Sequence, residues 1–247
     1  MSARNGKVRK KRQLRQSGQI DFALEDQLLS VLHAVANSTL MQAKDVVLVN
    51  SCKFQVGMTI PDLLIITGKH NNGSRVRAVR RLTLFDCTVL AELLNHGPSR
   101  RRSITTKLYA QPTSLDRAVE RLMRWGLVSR QMDGALAARR GLFSRGIHVI
   151  SIEAKLRRWR EALGQAKQYR SFSNSALVAL PERLIAANSK IRPACAAEGI
   201  GLLAVNPNGA KLLLRARRTK LLTADWIWLV SKTVGIGDRR TFRSNPR

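Results

Sequence analysis

Acidic side chains are scarce in this chain of 247 residues: 16 Asp and Glu stand against 44 Lys and Arg, for a formal charge of +28. That imbalance, with a pI near 11.6, is far from the surface of a near-neutral enzyme and attracts polyanions over a Debye length. Nucleic acid is therefore the first partner to consider, and an acidic membrane the second. Long apolar runs are also missing. No stretch approaches the roughly 18 apolar residues of a membrane span, and the first residues lack the apolar centre of a secretory signal. The expectation is a cytoplasmic protein with no membrane partner. Cysteine is sparse, and Cys52, Cys87 and Cys195 are odd in number and far apart. His33, His70, His96 and His148 form no CxxC or HxxxH spacing with them, which excludes structural zinc and leaves reduced, mostly buried thiols. No internal repeat is visible. Gly199-Ile200-Gly201 lacks Rossmann spacing and precedes a strand, which argues against a dinucleotide site.

What is present suffices for real cores: 44% of the residues are hydrophobic, in a length that allows one large or two modest domains. One stretch organises the rest, His148-Val149-Ile150-Ser151-Ile152-Glu153-Ala154-Lys155. Its β-branched, apolar composition is that of a buried strand, and a period of two puts Ser151, Glu153 and Lys155 on one face and Ile150, Ile152 and Ala154 on the other. A carboxylate and an ammonium at the end of such a strand are costly to desolvate unless a metal ion or a phosphate uses them. Leu156, Trp159, Ala162, Leu163, Ala166 and Tyr169 follow at spacings of three and four, the stripe of an amphipathic helix, with Arg157, Arg158, Arg160 and Lys167 on its other face. Upstream, Pro61 cannot donate to a sheet ladder and marks the entry of a strand over 59–66, leaving Asp62 ahead of an aliphatic run. Asp62 is read either as a site carboxylate or as a turn residue opening that strand. The triplet Glu153-Ala154-Lys155 alone decides nothing, because 16 acids and 13 lysines yield about one acid-x-Lys by chance.

Around these motifs the chain alternates helices and strands, which predicts the α/β class. Residues 1–19 form a basic, disordered tail. Phe22, Leu24, Leu28, Leu29, Leu32 and Val35 recur at helical spacing, with Asp21 as cap and Glu25 and Asp26 in the first turn. Strands follow at 46–49 and 59–66, with Gly57 near the turn between them. After a basic connection from His70 to Arg81, helices are expected at 84–94, 103–109 and 113–126, the third capped by Thr113 or Ser114 and stopped by Gly126. Asp133-Gly134 joins strands at 127–130 and 135–137 into a hairpin. Then come a strand at 175–180 ended by Pro181, a helix at 182–188, strands at 199–205 and 211–215, and a helix at 221–230.

A strand bearing Pro-Asp, a later strand ending in Glu-x-Lys, and a helix carrying Trp159, Ala162-Leu163, Gln165-Ala166 and Tyr169 resemble the restriction-endonuclease-like superfamily, the PD-(D/E)XK nucleases. The chain departs from that pattern in length, since 90 positions lie between Asp62 and Glu153. The material between them, three helices and a hairpin, resembles a winged helix-turn-helix domain. Together the resemblances imply a restriction-endonuclease-like mixed sheet flanked by helices and interrupted by a small winged-helix domain. The divisions are a tail at 1–19, a first core part at 20–81, an insert at 82–145, a second core part at 146–234 and a basic tail at 235–247. They imply a Mg2+-dependent DNA nuclease, with Mn2+ as a substitute ion. Asp62 and Glu153 would hold the metal, with Glu25 as a third carboxylate. Lys155 would orient the attacking water, Gln165 would support the site, and Ser151 would stand behind them. Asp133 competes with Asp62 for the metal, but its turn dipeptide explains it better. The insert would place its third helix in the major groove and its wing along phosphates. Its cationic surface, Arg100, Arg101, Arg102, Lys107, Arg117, Arg121, Arg124, Arg130, Arg139 and Arg140, is only partly offset by Asp86, Glu92, Asp116, Glu120 and Asp133. DNA is the expected partner, and a homodimer is compatible with it. Two other readings stay open: a transcription regulator with a catalytically inactive nuclease-like domain, and a basic RNA-associated protein.

Overall fold

The computed structural model describes residues 22–40, 46–50, 60–68, 76–139, 141, 143, 147–219 and 222–233. Both basic tails, Asp21, Cys52, Gly57, His70 and Arg140 lie outside the described residues. The molecule is α/β. A six-stranded mixed sheet runs in the order β1 (Val46–Asn50), β2 (Leu63–Thr67), β5 (His148–Ala154), β6 (Ser175–Pro181), β7 (Gly201–Asn206) and β8 (Gly209–Leu214). The first three strands pair antiparallel, β5, β6 and β7 are parallel, and β8 returns antiparallel. Every residue of β6 is buried, as a parallel strand covered on both faces requires.

Alternation along the strands divides the core. Leu63, Ile65, Ile152, Ala154, Leu177 and Ala179 face α1 (Glu25–Leu40), which supplies Leu28, Leu32 and Ala36. Leu64, Ile66, Val149, Ala176, Val178 and Leu180 face the other way, onto Ala162, Ala166 and Tyr169 of α6 (Trp159–Tyr169) and Ile191 and Cys195 of α8 (Ile191–Glu198). Between β6 and α8 lies α7 (Glu182–Ala187). The parity expected for Ile150, Ile152 and Ala154 against Ser151 and Glu153 is the parity found.

The segment between β2 and β5 holds α2 (Val76–Arg80), α3 (Leu84–His96), α4 (Arg101–Leu108), α5 (Pro112–Arg124) and the hairpin of β3 (Val128–Arg130) and β4 (Leu136–Ala138). Ser99, between α3 and α4, exchanges two backbone hydrogen bonds of 2.9 Å with Leu136 and adds a third edge to that hairpin. At its tip Gly134 adopts φ +81°, and the Asp133 carboxylate accepts from Ala135 N, so Asp133 is spent on the turn. Among the described residues this segment shares its core with the sheet. The cluster on the α6 face of the sheet continues through Trp226, Ile227 and Val230 of α9 (Ala224–Thr233) into Val89, Leu90, Leu93, Ile104, Leu115 and Leu122.

Five helix starts differ from expectation: α4 begins at Arg101 rather than 103 and α9 at Ala224 rather than 221, and the other three have a visible cause. α1 begins at Glu25 because Gln27 Oε1 accepts from Ala23 N at 2.8 Å and holds the preceding residues in a turn, leaving Leu24 exposed. α5 is preceded by Gln111 with no side-chain cap; Pro112 opens it with its fixed φ, and Thr113 and Ser114 sit inside the first turn. α6 begins at Trp159, so Leu156 is not on its stripe but packs with α1 in the opposite cluster. Two helices were not expected. α2 lies within the basic connection, and α8 buries only Ile191 and Cys195 and carries Pro193 in its first turn, too little periodicity to read.

Cys87 and Cys195 are buried free thiols; burial, reinforced by Asp86, pushes Cys87 up to about 12. Among the described residues no helix is long and apolar enough to cross a membrane. Gly201 opens β7 where a Cβ would stand 2.8 Å from Leu177 Cγ and 3.1 Å from the backbone nitrogen of Ala216. Gly201→Ala is therefore expected to cost about 1–3 kcal/mol by overpacking, read as a lower urea midpoint with unchanged slope.

Candidate functional site

Asp62 and Glu153 are brought together by strand register. In the antiparallel β2–β5 pair, Leu63 lies opposite Ile152 and Leu64 opposite Ser151. One step further along that register places Asp62 opposite Glu153. Pro61 ends the ladder there, and the free end of the pair is closed by a side chain, because Asp62 Oδ2 accepts from Ala154 N at 2.8 Å. Lys155 follows directly, its backbone nitrogen donating to Ala179 O of the parallel neighbour at 3.1 Å.

Glu153 is only 2% exposed, and each of its oxygens has a donor. Lys155 Nζ lies 3.0 Å from Oε1, and the Tyr169 hydroxyl donates to Oε2. That hydroxyl also lies 3.2 Å from the Ile60 carbonyl, tying the last turn of α6 to the entry of β2. Glu25, in the first turn of α1, brings Oε2 to 3.6 Å from Lys155 Nζ and is about half-exposed. The four groups Asp62, Glu153, Lys155 and Glu25 thus meet at one end of the sheet, beside Tyr169.

Burial holds the Asp62 carboxyl above its usual 3.8; Glu25 adds to the rise, while Ala154 N–H and Lys155 oppose it. Burial also raises Glu153 above its usual 4.5, helped by the charge on Asp62 and opposed by Tyr169 and Lys155. For Lys155, burial works against the ammonium, but Glu153, Asp62 and Glu25 outweigh it and raise the group. Burial and Glu153 raise Tyr169, which stays a phenol and a donor. These are two acids pressed toward protonation beside a firmly charged lysine.

A folded-state value raised above the unfolded one means that the acid form is favoured by folding. That stability is fully present below the ordinary carboxylate values and is lost as pH rises through the raised ones. Asp62→Asn removes the penalty while leaving an oxygen to accept from Ala154 N. Its stability relative to the parent is expected to rise with pH above about 4 and then level off. Urea midpoints stepped through pH in chelator test this; parallel curves for the two proteins would rule out the penalty.

The donor set fits a hard divalent cation in kind, being carboxylate oxygen. Among the described residues, however, no group of three or more His, Cys, Asp or Glu side chains stands assembled for a metal. Asp62 and Glu153 are the pair that could hold one; Glu153 Oε1 and Glu25 Oε2 both face Lys155 Nζ, at 3.0 and 3.6 Å. Gln165 lies one turn before Tyr169 on α6, its Oε1 buried without a hydrogen-bond partner. Ser151 is spent elsewhere: it bonds Ser173 Oγ at 2.9 Å, and Ser173 Oγ bonds Tyr169 O at 2.8 Å, which fastens the end of α6 to β5. Tyr169 enters the sequence reading on an apolar stripe and in the helix of the resemblance, but not as a site residue. The available signal was that it carries the one hydroxyl on that stripe, facing the strand that bears Glu153.

The cationic residues of the insert separate into two sets. Arg100, Arg102, Arg117, Arg124, Arg130 and Arg139 are exposed. Arg101 pairs with Asp116, and Lys107 lies 2.6 Å from Glu92. Arg121 lies 2.7 Å from Asp86, a carboxylate that is 0% exposed and also accepts from Thr83 N at the start of α3. Arg121 therefore fastens α5 to α3.

No family model matches this chain, and no curated protein matches it. Among solved structures, a protein of unknown function from Silicibacter pomeroyi is similar at 22% identity, covering 41% of this chain and 70% of that one, with a TM-score of 0.29.

Proposed function

We propose that this protein is a Mg2+-dependent deoxyribonuclease with a restriction-endonuclease-like core and a winged-helix DNA-binding module between the two strands that carry its acids. The observation behind this reading is the meeting of Asp62, Glu153 and Lys155 at one strand end despite their separation along the chain. Three antiparallel strands followed by a helix and a parallel strand agree with it. So do three helices and a hairpin edged by Ser99, the arrangement of a winged helix.

In this reading Asp62 and Glu153 would hold the metal. When bound, the ion polarises the scissile phosphate and lowers the pKa of a water. Ala154 N–H and the Tyr169 hydroxyl fix the two carboxylates before substrate arrives. Lys155 sets its ammonium beside the phosphoryl oxygens, where negative charge grows during attack. α5 lies in the major groove with Arg117 and Arg124 toward DNA, and the hairpin runs along phosphates with Arg130 and Arg139.

Incubation of the purified protein with plasmid, linear duplex and single-stranded DNA, with and without Mg2+, is the direct test. Cleavage only with the ion is expected. Retained binding with no cleavage of any of the three would remove the nuclease. It would favour a DNA-binding transcription regulator with an inactive nuclease-like domain, a reading that draws on the pairing of Lys155 with both Glu153 and Glu25 where a third metal ligand would be wanted.

A further inference from the structure

A groove of about 510 Å³ opens beside the acidic cluster, between the start of α1, the segment joining β5 to α6, and α7. Glu25, which reaches Lys155 at 3.6 Å, forms part of its wall, so the groove begins where the cluster ends. Its lining is of two kinds. Phe22, Leu156, Pro181 and Leu184 give an apolar floor. Arg157, Arg158 and Arg183 border that floor, and Arg158 is paired with Glu161 at 2.9 Å.

A surface that meets intact duplex meets phosphates and sugars, and arginines alone serve for that. An apolar floor gains nothing from a duplex backbone, because the faces of paired bases are hidden in the stack. An unpaired strand uses such a combination, with phosphates on cations and base faces stacked on aromatic rings or arginine planes, kinds of side chain that Phe22 and Arg157 supply in this lining. We infer that this groove seats an unpaired nucleotide next to the cleaved phosphate, so that the substrate is a strand end, overhang or junction rather than uninterrupted duplex. The inference deepens the nuclease reading and rests on it for its consequence. The winged helix would then hold the adjoining duplex while the groove takes the strand that leaves it.

The test uses binding without metal, so it stands apart from cleavage. The full chain is titrated with a fluorescent oligothymidylate of about eight nucleotides, an abasic chain of equal length and charge, and a blunt duplex, at about 0.15 M salt. General attraction to a +28 protein acts equally on the two single chains. The abasic chain is expected to bind at least about tenfold more weakly than oligothymidylate. Arg157→Glu, a change at an exposed position, is expected to weaken oligothymidylate binding at least about tenfold and the blunt duplex by a smaller factor. Equal affinity for the two single chains, equal losses on strand and duplex, or an unaltered Arg157→Glu protein would each overturn the inference. Cleavage absent beside a base-dependent affinity would instead cost the nuclease reading and leave the groove standing.

Discussion

Asp62→Asn, Glu153→Gln and Lys155→Ala are each expected to reduce Mg2+-dependent cleavage by about a thousandfold or more, while the affinity for blunt duplex changes by less than about threefold. The size follows from what each change removes. Asn and Gln keep the shape and one acceptor oxygen of the acid but lose the charge that holds a hard cation, and with it the polarised phosphate and the acidified water. Lys155→Ala removes a charge held 3.0 Å from Glu153, against a buried acid already pressed toward its neutral form. The paired measurement is what discriminates. Duplex binding is assigned to α5 and the hairpin, so a fold left intact keeps it. Asp62→Asn has a further signature, since a neutral side chain there relieves a desolvation penalty and keeps the bond from Ala154 N. Its melting temperature is expected to match or exceed the parent's in chelator, as happens when a site holds charge at the expense of stability. Cleavage that survived all three changes would place the chemistry elsewhere.

The residues at this site were legible one by one, but the contact between them was not. Pro61 marks a strand entry by lacking a donor, and a period of two assigns Glu153 to the face opposite Ile152. Both statements depend on local chemistry, and both hold. What joins Asp62 to Glu153 is the β2–β5 register, a pairing across 90 intervening positions that no local pattern encodes. Boundaries failed where a side chain overrode periodicity. Leu156 fits the heptad-like spacing of α6 yet belongs to the cluster under α1, and Gln27 organises the described start of α1. The continuity of one apolar cluster through α9 into α3 was hidden as well. Helix stripes show that a face is buried, not which partner covers it.

Arg121 illustrates the same limit with the largest expected effect on stability. Counted among arginines on a helix face, it reads as a DNA contact. In the fold its guanidinium lies 2.7 Å from Asp86, and Asp86 is fully buried, completing a capping box with Thr83 at the start of α3. Arg121→Ala would leave a buried carboxylate without its charge partner, a change that costs about 3–5 kcal/mol where it has been isolated. Arg121 is itself about one-third exposed, which places the expectation toward the lower end of that range. Since α3, α5 and α9 share one apolar cluster, the loss is expected as a lower melting temperature of the whole chain rather than as detachment of the insert. Arg117→Ala, at an exposed position on the same helix, is expected to leave the melting temperature within about one degree and to lower duplex affinity and its salt slope instead. Thermal melts and salt-dependent binding of the two variants separate the roles. An Arg121→Ala protein that melts like the parent but binds duplex poorly would return this arginine to the DNA surface and leave Asp86 to be held by its cap alone.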